Sequence, residues 1–382
     1  MNPFVISAYK APEFFCDREK ETRAIINSVT NGVNIVLYSL RRIGKTGLIK
    51  HVFHALADRA EYELIYIDIY RTKNVDDFVN ELASAMLRID RKVWYRRVLE
   101  FLKKFRPVLT INPVTGQMEA EIRAVSEGQG PQNLDAIFQF MEQYPSKIIL
   151  AIDEFQQITA YPEHGFEAFL RSKIQFLNNV NFIFSGSNRR IISSMFQDYN
   201  RPFYQSGSTL YLDKIPEDAY AAFIQQLMEC TNRKITGELV LKGLQWTESF
   251  TWFTQNYFNR LWGTGVKTIT GNLMKSIEQE VFAEKERDFI ELRNILPENQ
   301  MQLLTAIAKE NSVQKPTAKE FLSAYKLGPA STVNAALRVL EQKEIIYYEQ
   351  HAWQLYDVYM KRFLQATRRN HEHHPRKRPG IL

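Results

Sequence analysis

The chain has 382 residues, 45% hydrophobic and 24% charged, an ordinary globular composition with room for two or three domains of roughly 150 residues. It holds no run of ~18 apolar residues, which excludes a membrane-spanning helix. Only Cys16 and Cys230 occur, which excludes a disulfide framework or a cysteine-built zinc site. The opening Met1-Asn2-Pro3-Phe4 lacks a basic segment followed by an apolar one, so a cytoplasmic location is expected. The formal charge of +6 is localised: seven bases and one acid lie from Lys361 onward, leaving 42 bases and 42 acids in the rest. A basic tail on a neutral body says little about a nucleic-acid partner.

In chain order, Asn34–Ser39 is a short apolar, β-branched run and predicts a buried strand. Lys45–Asp58 has helical spacing through Leu48, Ile49, Val52 and Phe53. Leu64–Ile69 predicts a second strand and Val75–Ile89 a second helix, with Lys147–Ile152 and Asn181–Ser185 as third and fourth strands. Continuous apolar strands alternating with helices imply a parallel sheet covered on both faces. The aromatic, basic Arg91–Phe105 stretch and the turn signal Asn112-Pro113-Val114-Thr115-Gly116 predict an inserted helix and hairpin over about 91–131, with Ser126–Pro131 a loop.

Ser39-Leu40-Arg41-Arg42-Ile43-Gly44-Lys45-Thr46 matches the phosphate-loop pattern G-x-x-x-x-G-K-[S/T] except at its first position. It lies between a predicted strand and helix, where successive backbone N–H groups and the helix N-terminus cradle phosphate. Gly44 permits close approach, Lys45 neutralises the β/γ-phosphates, and the Thr46 hydroxyl takes a Mg²⁺ position; with Gly47 these residues form the expected nucleotide-binding set. Lys147–Ile152 then runs into Asp153-Glu154, a Walker B pattern that aims Asp153 at the metal and Glu154 at the attacking water. The two acids also suit a helix start. Arg41 and Arg42 suit phosphate or a neighbouring acid, and equally a structural role at the sheet edge.

Phe15-Cys16-Asp17-Arg18-Glu19, the Ser39–Thr46 loop, Ile152-Asp153-Glu154-Phe155 and Phe184-Ser185-Gly186-Ser187 together resemble the archaeal-type ATPase family, a branch of the signal-transduction (STAND) ATPases related to the AAA+ proteins. The resemblance implies an α/β P-loop NTPase domain, with helices on both faces of a parallel sheet, followed by a helical lid and a winged helix-turn-helix domain. It implies ATP and Mg²⁺ as ligands. Asp17, Arg18 and Glu19 correspond to a box on the adenine side of the nucleotide, residues that also suit a helix N-cap followed by surface charges. Ser187 or Asn188 stands where a sensor would meet the γ-phosphate or attacking water, and both also suit a turn. Arg201 matches an arginine finger acting in cis or from a neighbouring subunit, or else a solvated loop residue. Related nucleotide switches carry a Gly-x-Pro signature in the helical region; the corresponding Glu248–Phe253 has neither residue.

Helical patterning fills Pro216–Ile295 and restarts after Leu296-Pro297. Glu298–Glu310, Thr317–Leu327 and Ala330–Lys343 predict three short helices, the second opened by a capping box Thr317-Ala318-Lys319-Glu320. Ile345–Tyr348 and Ala352–Leu355 complete a winged helix whose third helix would turn Ser331, Asn334, Ala335 and Arg338 outward. Expected boundaries are 1–213 for the ATPase domain, 214–295 for the lid, 296–365 for the winged helix and 366–382 for a disordered basic tail. In that tail His371, His373 and His374 precede Arg376-Lys377-Arg378 and suit non-specific attraction to polyanions. The expected activity is a slow, regulatory ATP hydrolysis coupled through the winged helix to a protein partner, self-association or DNA. Two alternatives stand beside it: a DNA-binding regulator or scaffold with a structural nucleotide, and a slow switch that recruits a protein.

Overall fold

The computed structural model describes residues 1–7, 9–105, 107–113, 116, 118–121 and 129–371. The chain forms two compact units, residues 7–214 and residues 1–6 together with 215 onward. In the first, the elements run α1 (Glu19–Thr30), β1 (Ile35–Tyr38), α2 (Lys45–Leu56), β2 (Tyr62–Asp68), α3 (Val75–Leu87), α4 (Lys92–Leu102), β3 (Val108–Ile111), β4 (Met118–Glu121), α5 (Gly130–Glu142), β5 (Lys147–Asp153), α6 (Phe166–Ile174), β6 (Val180–Gly186), α7 (Arg189–Gln197) and β7 (Ser208–Tyr211). Five strands form one parallel sheet in the order β2-β5-β6-β1-β7.

The buried strands β5 and β6 are apolar along almost their whole length because both faces are covered. Val36, Ile65, Ile67, Leu150, Ile152, Phe182 and Phe184 share one core with α3 to α7. Ile35, Leu37, Ile149 and Ile183 alternate with them and are equally buried, turned away from that core by the strand period of two. The register sets Asp68 opposite Asp153 and Tyr38 opposite Gly186, so the strands' carboxyl ends finish at one edge. This edge carries the expected site residues.

The inserted helix and the β3–β4 hairpin are present, although Val114, Thr115 and residues 122–128 lie outside the described residues. Gly130 and Pro131, expected in a loop, open α5 instead; Pro at the first turn costs the helix no bonded N–H. Strand β7 was not foreseen: it is a four-residue edge strand with only partly buried side chains, too short for a period to register.

In the second unit follow α8 (Glu217–Cys230), α9 (Gly237–Thr247), α10 (Thr251–Gly263), α11 (Gly271–Ile295), α12 (Glu298–Lys309), α13 (Lys319–Ala324), α14 (Ala330–Gln342), β8 (Ile346–Glu349), β9 (Ala352–Leu355) and α15 (Val358–His371). Helices α12 to α14 and the β8–β9 hairpin enclose a core around Leu304, Ile307, Leu337 and Leu340, and form the winged helix. Three expectations need correction here. Residues 1–6, expected in the ATPase domain, join the second unit: Phe4 is buried against Phe258, and Asn259 Nδ2 donates to Phe4 O at 2.6 Å. The capping box does not form: α13 begins at Lys319 after Ala318, without a side-chain cap. Helix α15 continues to His371, through the first part of the expected tail, whereas residues 372–382 lie outside the described residues. Among the described residues no helix is long and apolar enough to cross a membrane.

Gly243 in α9 offers a test of the packing. Ala exceeds Gly by about 1 kcal/mol in helix propensity, but a Cβ here would stand 2.7 Å from Phe258 Cζ, and Phe258 is fully buried. Overpacking costs about 1–3 kcal/mol, so the clash should win. Gly243→Ala is expected to lower stability in urea melts, whereas Gly263→Ala at the end of α10, with nothing within 4 Å, should leave it unchanged or raise it.

Candidate functional site

The loop between β1 and α2 is positioned at both ends by buried residues, Val36 and Leu37 before it and Leu48 and Ile49 after it. Gly44 precedes α2 at φ +106°, a conformation a side chain would strain, and no side chain caps the helix. The first-turn amides of α2 are therefore directed at whatever sits in the loop. Arg42 also takes a left-handed conformation, at φ +65°.

Ser39 occupies the position where the pattern has glycine, and the structure gives its hydroxyl a use. It is fully buried, donates to Leu40 O at 2.7 Å, and accepts from Lys45 Nζ at 3.2 Å. Lys45 Nζ also lies 3.4 Å from Leu40 O, so the ammonium is folded over the loop.

Thr46 Oγ1 donates to Asp153 Oδ2 at 2.6 Å, joining the loop to the end of β5. Tyr66 Oη donates to the same oxygen at 3.0 Å. Burial, and then the charges of Asp153 and Asp68, push the Tyr66 phenol far above its ordinary range, so it stays a donor. Asp68 lies beside Asp153 in register; partial desolvation raises its carboxyl, with the Asp153 and Glu154 charges adding to the shift.

Glu154 has φ +56°, in the left-handed region, which costs a non-glycine residue about 1 kcal/mol or more. The turn brings its carboxylate to the end of β6. Oε2 accepts from Ser187 Oγ at 2.7 Å and Gln156 Nε2 at 2.5 Å, with Ser187 N at 3.4 Å. Glu154 does precede a 3-10 turn, Phe155–Ala160, but forms no side-chain cap. Of the two sensor candidates, Ser187 reaches Glu154, while Asn188 caps α7 by accepting from Ile191 N at 3.2 Å.

The other expected residues are placed differently. Arg18 is 4% exposed and left-handed at φ +78°. Its guanidinium donates to Asp213 O at 2.5 Å and to Glu21 at 3.0 Å, fastening the start of α1 to the chain after β7. It stands at the N-cap position without a side-chain cap bond, so no Asp17–Glu19 cap forms. Arg201 was an arginine-finger candidate; its Nε and Nη2 donate to Glu167 at 3.2 and 2.5 Å, so the guanidinium is engaged on α6 within its own unit.

Sequence reasoning missed Tyr9, His51, Tyr66, Asp68 and Gln156. Phe15 stacks on His51 at 4.3 Å between centroids and covers Gly47 in the first turn of α2, while Tyr9 Oη lies 3.0 Å from His51 Nδ1. Burial lowers the His51 pKa, helped by His54, which favours the neutral imidazole. Asp68 had a visible signal, because it closes an apolar strand just as Asp153 does. Gln156 and His51 had none, because only the folded chain shows what they face.

Comparison with known proteins agrees with this geometry. Residues 15–187 match the family described as an ATPase domain predominantly from Archaea, and residues 287–366 match that described as a probable winged helix domain. An uncharacterised ATP-binding protein of Methanocaldococcus jannaschii is 26% identical over 166 residues, covering 40% of this chain and 46% of that protein, so the chain spans about half the length of this curated relative. Among solved structures, a Walker-type ATPase of Pyrococcus abyssi superposes with a TM-score of 0.66 at 19% identity, covering 95% of this chain and 99% of that one. The ORC2 protein of Aeropyrum pernix, solved as ADPNP and ADP complexes, gives 0.57 at 14% identity, covering 96% and 98%. The ORC1 protein of the same organism, solved in complex with DNA, gives 0.53 at 13%, covering 92% and 93%. At these identities the likeness shows the fold alone. Residues 15–187 thus carry the likeness to the predominantly archaeal ATPase domain, and the chain joins a P-loop α/β domain to a C-terminal winged helix.

Proposed function

We propose that the chain binds ATP with Mg²⁺ at residues 39–47, hydrolyses it slowly with Glu154 as the base, and passes its nucleotide state to a partner through the winged helix. The observation that carries this reading is the convergence of Lys45, Thr46, Asp153, Glu154 and Ser187 at the carboxyl edge of one sheet. The uncapped α2 N-terminus and the Lys45 ammonium suit phosphate. The Thr46 hydroxyl and Asp153 carboxylate are hard oxygen donors of the kind Mg²⁺ takes, and they lie 2.6 Å apart. When bound, the metal neutralises charge on the β/γ-phosphates. Phe15, stacked on His51 beside Gly47, would stand on the base side of the loop.

Glu154 supplies the proton acceptor. Ser187 and Gln156 hold its carboxylate in one orientation, so Ser187 acts as a positioning residue. Arg201, occupied by Glu167, has no part in this reading.

Partner coupling draws support from the second unit, where the winged helix is bonded to the helical segment. Lys361 is fully buried and ion-paired with Glu248; Tyr359 Oη donates to Phe253 O at 2.9 Å, and Arg362 to Gln245 O and Trp246 O at 2.8 and 3.0 Å. Ser331, Asn334, Ala335 and Arg338 are exposed along α14, which favours DNA as a second reading for the partner. A salt titration of DNA binding, with and without Arg376–Arg378, separates docking on α14 from attraction to the tail.

Two measurements test the ATPase reading. Lys45→Ala should weaken ATP binding at least tenfold in calorimetry, about 1.4 kcal/mol or more; unchanged affinity in folded protein refutes the site. Glu154→Gln should keep ATP affinity while turnover falls on the order of a hundredfold or more, and Asp153→Asn should instead weaken the Mg²⁺-dependent part of binding. Ser187→Ala should lower turnover about tenfold with little change in affinity. Parental turnover in Glu154→Gln would remove that residue as the base.

A further inference from the structure

Asp153 closes β5 and is only 3% exposed, so its oxygens depend on donors within the protein. Oδ2 accepts from Thr46 Oγ1 at 2.6 Å and from Tyr66 Oη at 3.0 Å, and Oδ1 accepts from Glu154 N at 3.1 Å. These donors differ in their duties. The Thr46 hydroxyl is also expected at the metal, and Glu154 N belongs to the turn that carries the base. Tyr66, on β2, belongs to neither the phosphate loop nor that turn.

The sheet and α2 fix Tyr66 from two sides. Parallel pairing sets Tyr66 against Ala151, and Asp153 follows on the same face two residues later. Ala151 is fully buried and small, which leaves the phenol ring room to reach along β5 to Asp153. Against the ring face, Lys50 Nζ lies 3.4 Å from the centre, a cation–π contact. Thr46 and Lys50 are four residues apart in α2, hence on one face of that helix. That face therefore meets the Asp153 carboxylate through Thr46, and the ring of its other side-chain donor through Lys50.

We propose that Tyr66 is a positioning residue for Mg²⁺, held in place by Lys50, and that it aims Asp153 at the metal without itself touching metal or nucleotide. This role rests on the reading of residues 39–47 and Asp153 as an ATP and Mg²⁺ site, and adds to it two residues outside the phosphate-loop pattern. Groups that orient a metal-facing side chain from behind commonly contribute ten- to a hundredfold in metal affinity. Without the phenol hydroxyl, Asp153 keeps Thr46 and Glu154 N but loses the hold that is independent of the nucleotide. The α2 amides and Lys45 are untouched, so ATP alone is bound as before while Mg²⁺ is held less well.

The test titrates ATP into the full chain by calorimetry, over a Mg²⁺ series and in EDTA. Burial lowers the Lys50 ammonium to about 8, so work at pH 7 keeps it charged. Tyr66→Phe keeps the ring and its contact with Lys50, and removes only the donor. It should raise the Mg²⁺ concentration needed for half of the metal-dependent affinity about tenfold, and leave ATP affinity in EDTA unchanged. In an Asp153→Asn background the same substitution should add less than about twofold, because the two residues act through one bond. Lys50→Met should raise the Mg²⁺ midpoint several-fold and Lys50→Arg should restore it; this pair carries the test if Tyr66→Phe fails to fold. An unchanged Mg²⁺ midpoint in folded Tyr66→Phe overturns the role. So does an equal loss with and without Mg²⁺, or a loss that is fully additive with Asp153→Asn, since either marks a merely structural tyrosine. A parental protein whose ATP affinity ignores Mg²⁺ overturns the metal site together with this role, whereas parental Mg²⁺ dependence that survives in Tyr66→Phe overturns the role alone.

Discussion

The hydrogen bond from Thr46 to Asp153 ties two segments that are neighbours in neither sequence nor sheet. β6 lies between β1 and β5, so the bond spans an intervening strand and exists only because the strands end level. A parallel ladder makes that possible: all chains run one way, so every turn after a strand falls on the same edge. Strand β6 then brings Ser187 between the other two, within 2.7 Å of Glu154. A register slip would turn Asp153 into the core and Glu154 out of reach of Ser187.

Several departures from regular geometry lie along this edge. Arg42, Gly44 and Glu154 all have positive φ, and Asp17 and Arg18 do so where the chain enters α1. Non-glycine residues persist in such conformations when their surroundings over-determine them. At Glu154 the fixing comes from Ser187 and Gln156, and at Arg18 from Asp213 and Glu21. Ser39 shows how a departure from a motif can be absorbed: where glycine would leave space, its hydroxyl bonds both Leu40 and Lys45.

The second unit treats its own departure in the same way. Glu248-Ser249, in the stretch that lacks the Gly-x-Pro signature, are consecutive left-handed residues, and the Glu248 carboxylate meets Lys361 and Arg362 on α15. A buried ion pair contributes little net stability, because desolvation offsets its attraction, but breaking it leaves an uncompensated charge. Its effect is to fix α15 on the segment between α9 and α10, so the winged helix and the helical segment form one unit.

Much of this was determined locally. Apolar β-branched runs specified β1, β2, β5 and β6, and the spacing of Gly44, Lys45 and Thr46 specified the loop, because strand burial and helix-terminal phosphate chemistry depend on neighbouring residues. The winged helix was legible for the same reason, from short amphipathic helices and two alternating runs. Strand β7, the entry of residues 1–6 into the second unit and the start of α5 at Gly130 depended on partners far along the chain. So did the division of labour at the site. That Ser187 rather than Asn188 meets Glu154, that Tyr66 shares Asp153 with Thr46, and that Glu167 claims Arg201 were decided only by tertiary structure. A side chain's hydrogen-bond partner is set by which groups the sheet order and its register bring within about 3 Å, a distance that no one-dimensional pattern carries.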